Sequence, residues 1–260
     1  MSGLRYVYAV CRPFDAALQA DVTGVAGAPP GRLTHHGLVA VVSTVPEADF
    51  AEAPLRRHLE DLDWLSDTAR AHQSVIDALT AVTTPLPLRL ATVFRDDSGV
   101  RTMIEAREDA LRRTLDRLDG RVEWGVKVYA EAESAEAAQA AKPVTGRDYL
   151  RQRRMRSKSQ DAMWEKAESF SRRLHDSLSA HAEDARLHAP QNAAISRESG
   201  RNVLNAAYLV SRAESEAFVE LVDRTKDDEP GLRVELTGPW AAYSFAGLED
   251  EANGPGEAGP

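Results

Sequence analysis

The stretch from Leu232 to Phe245 constrains the fold of this chain more than any other. An apolar run, Leu232 to Thr237, meets Gly238-Pro239, and then Trp240, Tyr243 and Phe245 follow within six residues. Glycine and proline together interrupt a strand where the chain must turn. Three large aromatic side chains just beyond that turn supply enough apolar area to fix the segment onto a core. The segment reads as a strand, a corner and a second extended piece, so this end of the fold is expected to be tied down.

Upstream, the apolar pattern divides the chain. Leu4 to Cys11 is rich in Tyr and Val and reads as a buried strand. Arg32 to His36 and Leu38 to Val45 read as a hairpin across Gly37, stopped by Pro46. Apolar residues at Leu55, Leu59, Leu62, Leu65, Ala69, Ile76 and Leu79 fall on one helical stripe that also carries His72. Pro85 and Pro87 close that helix and force an extended exit, Leu88 to Phe94. A helix through Val100, Ile104, Leu111, Leu115 and Leu118 ends at Gly120.

After Gly120 the pattern begins again. Val122 to Ala130 reads as a strand, 146 to 184 as a long helix with Met163, Ala167, Phe170, Leu174 and Leu178 inward, then Arg186 to Ala189 and Asn202 to Val210 as extended pieces. Ser211 and Glu214 form a capping-box pair before a helix through Phe218 and Leu221, and Leu232 to Thr237 is the last strand. Strand, helix, strand, strand, helix, strand is the split βαβ order of a ferredoxin-like sandwich. The expectation is an α+β protein of two domains: residues 1–120, a modified sheet-and-helix domain; 121–248, ferredoxin-like; and an acidic tail, 249–260, too poor in large apolar residues to fold.

Composition narrows the chemistry. A formal charge of −9 argues against a nucleic-acid partner, since duplex binding rests on neutralising phosphates with a basic face. No run approaches the length of apolar residues that a membrane span needs, and the first dozen residues lack the pattern of a signal peptide, so the expected location is the cytoplasm. The single cysteine, Cys11, permits no internal disulfide, and the seven histidines show no zinc-ligand spacing, so neither a metal nor a cofactor is expected.

Candidate chemistry is sparse. His72 beside Arg89 resembles a poised base, although a lone histidine on a core stripe is more often a satisfied structural residue bonded to backbone or tyrosine. Arg89 in an apolar strand demands a partner, most simply a carboxylate. His58 with Asp61 and His181 with Asp184 share helical faces and read as solvated pairs. Glu123 and Lys127 share one strand face and pair across the sheet. Arg147, Arg151, Arg153, Arg154, Arg156 and Lys158 form a basic block, read as a solvated helical face or as a holder of acidic surface. Phosphate loops, dinucleotide fingerprints and nucleophile elbows are missing, which moves the expectation from enzyme to interaction protein.

Four blocks in this order resemble one family: the opening Tyr6-Val7-Tyr8; the helix carrying Ala71-His72 followed by Pro85-Leu86-Pro87-Leu88-Arg89-Leu90-Ala91-Thr92-Val93-Phe94; Glu123-Trp124-Gly125-Val126-Lys127-Val128, with Gly146 to Arg151 after it; and Gly238-Pro239-Trp240 with Tyr243 and Phe245. They are similar to the GvpF/GvpL gas vesicle accessory proteins, and the resemblance runs from about Leu4 to about Phe245. It implies a protein needed to assemble the hollow vesicle shell, associated with gas vesicles and contacting the small hydrophobic shell subunit GvpA and other accessory proteins. It does not separate the F-type from the L-type. The contact is expected on the N-terminal domain, at Val39, Val41, Arg89, Thr92 and Phe94. The rival reading is a small-molecule sensor or enzyme using His72 and Arg89 on ferredoxin-like domains.

Overall fold

The computed structural model describes residues 3–18, 22–131, 146–190, 200–226 and 228–247. The expected acidic tail, 249–260, lies outside them. Spatial proximity groups the chain into two compact units, residues 1–122 with 240–260, and residues 123–239. The sequence-based expectation places residues 121–248 in the second domain. Instead Ala241 packs in the same buried cluster as Tyr6, Val75 and Ile76, so the chain end belongs with the first unit.

The first unit is built on a sheet of β1 (Leu4–Cys11), β2 (Gly31–His35), β3 (Leu38–Val45), β4 (Leu86–Pro87) and β5 (Val93–Phe94). Its order is β2-β3-β1-β4, with β5 also pairing β1. The hairpin forms as its sequence dictates. His36 and Gly37 take φ of 48° and 69°, the two positive values a two-residue type I′ turn requires. Between Val7 and Ala9 the register of β1 against β3 shifts by a bulge at Tyr8. The extra residue changes the strand's parity, so Tyr6, Tyr8, Ala9 and Cys11 all join one buried cluster with Val39, Val41, Val45 and the helical Val75, Ile76 and Leu79. Val7, Val10, Leu38, Ala40 and Val42 are buried as well, so both faces of the two central strands are covered.

The helices of this unit depart from the sequence expectation in two places. After a short α1 (Glu47–Phe50), the single helix expected from Leu55 to Leu79 is two: α2 (Glu52–His58) and α3 (Leu62–Thr80). Asp61 caps α3, its side chain accepting the backbone N–H of Asp63 and Trp64 at 3.0 and 3.2 Å. The break moves Leu59 and Leu62 off the inner stripe, and Leu62 is 78% exposed. Likewise the helix expected through Leu118 is α4 (Asp97–Ala106) and α5 (Glu108–Leu118), hinged at Arg107. Helix α3 lies against β1, α4 against β2 and β5, and α5 against β4.

The second unit carries a four-stranded sheet, ordered β7-β8-β6-β9, of β6 (Arg121–Ala130), β7 (Asp184–Leu187), β8 (Arg201–Ser211) and β9 (Leu232–Trp240). Helices α6 (Gly146–Ser179) and α7 (Ser215–Thr225) interleave them along the chain and both lie against β8. This is the strand order of a ferredoxin-like sandwich. Tyr208 of β8 joins the layers, its hydroxyl 2.8 Å from His175 Nδ1 of α6 and its ring tilted against Phe218 of α7. The expected capping box is half present: Ser211 accepts the Ala213 N–H, and a short 3-10 turn, Arg212–Glu214, precedes α7. At the corner, Gly238 has φ of 128°, and a Cβ there would lie 2.8 Å from the Glu123 carbonyl oxygen and 3.0 Å from the Trp124 ring. The second extended piece expected beyond it is a 3-10 turn, Tyr243–Phe245.

Candidate functional site

Tyr6 and His72 form the polar centre of the first unit. Parity places Tyr6 inward on β1, and the α3 stripe places His72 opposite it; both are almost wholly buried. The Tyr6 hydroxyl accepts the Ala91 N–H at 3.0 Å and lies 2.9 Å from His72 Nδ1. With its oxygen serving Ala91, the hydroxyl's own proton is free to go to His72 Nδ1, which puts the imidazole hydrogen on Nε2. The opposite tautomer orphans two groups instead of one. Nε2 is buried without a hydrogen-bond partner. Burial lowers the His72 pKa to about 4, so the ring is neutral at physiological pH, and burial likewise pushes the Tyr6 phenol upward. Beside it the Tyr8 hydroxyl donates to Ser43 at 2.9 Å and accepts the Val25 N–H at 2.8 Å. Cys11, raised to about 12 by burial, is an inert packing group.

Arg89 does not share this site. The expected strand Leu88 to Phe94 is interrupted: β4 and β5 pair with β1 at either end, and between them the chain turns, with Ala91 at φ 63° and the Thr92 N–H donating to the Arg89 carbonyl at 3.2 Å. Arg89 is exposed in that turn and is not a buried charge. Thr92 and Phe94 are half-buried; the Thr92 hydroxyl also serves the Arg89 carbonyl, and Phe94 lies under Gly99 of α4. Val39 and Val41 are core residues, and β3 is paired on both sides. Their burial corrects the expectation that they face a partner, since both pack in one cluster with Val75, Ile76 and Leu79 of α3.

The remaining pairs rearrange too. Asp61 is a helix cap, and His58 stacks on Trp64, with ring centroids 4.9 Å apart and planes 13° apart, while facing Asp49 at 3.7 Å. His181 Nδ1 lies 2.8 Å from the Ser177 carbonyl, and Asp184 accepts the Ala185 N–H. Glu123 is buried and Lys127 half-buried. Of the basic block, Arg147, Arg151, Arg153 and Arg154 are exposed on α6, alongside exposed Leu150 and Met155; the side chains of Arg156 and Lys158 lie outside the described residues.

What sequence reasoning missed is the outer side of β2. Among the described residues no strand pairs with it there. The two-residue loop makes His35 and Leu38 the closing hydrogen-bonded pair, so the next pair, Thr34 with Val39, directs the N–H and C=O of Thr34 away from β3. Thr34 is exposed. The hairpin itself was the available signal: of two adjacent strands, only one can be interior to a sheet that ends there.

Fold and surface together define a two-unit α+β protein whose buried polar network supports packing. Two crystal structures share the fold: GvpF from Anabaena sp. PCC7120, with a TM-score of 0.69 at 18% identity covering 94% of this chain and 96% of that one, and GvpF from Microcystis aeruginosa, with 0.65 at 19%, covering 95% and 100%. The model of the gas vesicle synthesis protein GvpL/GvpF family matches residues 4–247, and the chain belongs to that family. It is 58% identical over 253 residues to gas vesicle protein L of Streptomyces sp. (strain CB03234), covering 95% of this chain and 94% of that protein. Against gas vesicle protein F of the same strain the identity is 26%, covering 92% and 98%.

Proposed function

We propose that this chain is an L-type gas vesicle accessory protein that acts in shell assembly by binding other proteins, GvpA and further accessory proteins among them, rather than by catalysis. The cytoplasm and the growing vesicle are its proposed location. Family membership supports the accessory role, and the twofold higher identity to the L protein than to the F protein of one strain supports the type. No helix among the described residues is long and apolar enough to cross a membrane.

The observation that carries the binding mode is the open side of β2. A strand edge with unpaired N–H and C=O groups accepts an extended segment of a partner through main-chain hydrogen bonds. We assign the main contact to this edge, in place of the enclosed Val39 and Val41. The short strands on the other flank, near Arg89, Thr92 and Phe94, serve as a secondary contact. Thr34→Pro tests it, because proline removes the outward N–H while the bonds of β2 to β3, made by Leu33 and His35, persist. Capture of GvpA by the full-length variant should fall several-fold with the melting temperature little changed. Undiminished capture by a folded Thr34→Pro protein would place the contact elsewhere.

A further inference from the structure

The turn between β2 and β3 brings together a set of side chains that the sequence keeps 70 residues apart. His35 Nε2 lies 2.6 Å from Glu105 Oε1, and His36 Nδ1 lies 2.6 Å from Glu108 Oε2. The two imidazole rings are tilted against each other with centroids 4.4 Å apart. One ligand atom from each of His35, His36 and Glu105 falls within 4.8 Å of the others. Each element contributes for a local reason. The positive φ of His36 turns its ring back beside that of His35 instead of to the opposite face of a strand. The hinge at Arg107 lets Glu105, at the end of α4, and Glu108, at the start of α5, both reach the hairpin tip.

We propose that His35, His36 and Glu105, with Glu108 as a fourth donor, form a surface site for a divalent transition ion of the zinc class. Two neutral imidazoles with one or two carboxylates suit a borderline ion and not calcium or magnesium, which demand oxygen ligands. A tetrahedral zinc centre spaces its ligand atoms by roughly 3.4 Å, so the set must close by little more than a bond length. The exposed side chains of His36 and Glu105 allow this closure, and His35 and Glu108 are half-buried. Arg112 is a cation bonded to the cluster. It bonds Glu108 Oε1 and the His36 carbonyl, which leaves Glu108 Oε2 turned to the imidazole. Those two bonds hold the carboxylate and the turn backbone in place. The bound ion ties the β2–β3 hairpin to α4 and α5, and so stiffens the strand whose outer side is open.

Isothermal titration of the full-length protein with ZnCl2 at pH 7.5, with MgCl2 and CaCl2 as comparisons, reads the site directly. One equivalent of zinc should bind and raise the melting temperature by mass action, with neither effect from magnesium or calcium. His36→Asn, which tolerates the positive φ, and Glu105→Gln should each weaken binding by at least about tenfold, the scale seen even for residues that only support a ligand. His188→Gln, far along the sequence in the second unit, should leave it unchanged. Failure to see a saturable equivalent would overturn the site, as would equal affinity in folded His36→Asn and Glu105→Gln proteins. In that case the cluster is a set of proton-dependent ion pairs only.

Discussion

Tyr6 satisfies two buried groups with one hydroxyl, and this makes it the residue whose smallest change has the largest expected effect. Tyr6→Phe keeps the ring in the core but leaves the Ala91 N–H and His72 Nδ1 without partners. Each orphaned buried group costs about 1–3 kcal/mol, so a loss of about 2–6 kcal/mol should appear as a lower urea midpoint with unchanged slope. His72 adds a pH dependence of definite sign. Its folded pKa, about 4, is below the value near 6.5 of the unfolded chain, so between those limits the unfolded state binds the extra proton. Stability from this group is constant above pH 6.5 and is lost as the pH falls toward 4. The loss approaches 3 kcal/mol, about 1.4 kcal/mol for each pH unit of the gap. The difference in stability between wild type and His72→Gln, followed by urea denaturation at pH 7.5, 6.0 and 5.0, isolates this contribution from the other histidines. A difference that does not change with pH would show that the His72 pKa is the same in the folded and the unfolded chain.

At the scale of elements, helix α3 exists in its observed register because Asp61 starts it. Asp61→Ala removes the acceptor for two N–H groups and should cost about 1 kcal/mol, measurable by denaturant melts; its effect should exceed that of Asp63→Ala, since Asp63 sits in the first turn and is not the cap of α3. The same aspartate shows what the sequence conceals. The stripe Leu55, Leu59, Leu62 continues through the break in perfect helical phase, and periodicity cannot announce that a cap has restarted the helix. Strand β1, the hairpin and the order of the second sheet are legible because Tyr and Val runs, a Gly37 turn and the glycine after α5 are local signals. The bulge at Tyr8 and the turn at Ala91 are not local signals. Each is set by pairing with residues more than thirty positions away, and with them went the placement of Val39, Val41 and Arg89. The cluster at His35 and His36 was hidden for the same reason, since its carboxylates come from beyond the next three helices.

At the scale of the whole molecule, the C-terminal corner lies where the chain passes from the second unit back into the first. Gly238 is held where any Cβ meets the Glu123 carbonyl and the Trp124 ring, and its φ of 128° is open to glycine alone. Beyond it, Ala241 and Phe245 are buried, and Arg117 donates to the Phe245 carbonyl. Gly238→Ala should therefore cost more than about 1 kcal/mol and act on two units through one residue. Limited proteolysis separates this from a local effect: the variant should be cut after Trp240 or Tyr243 faster than wild type while the rest of the first unit resists. The proposed L-type role belongs to this scale as well, because identity to the Streptomyces L protein is spread over nearly the full length of both chains. Expression of this chain in strain CB03234 lacking its L protein should restore gas vesicles visible by electron microscopy, and expression in a strain lacking its F protein should not. Restoration of the F-deficient strain alone would reverse the assignment, and the Gly238→Ala chain should restore fewer vesicles than wild type if the anchored C-terminus is part of what the partners recognise.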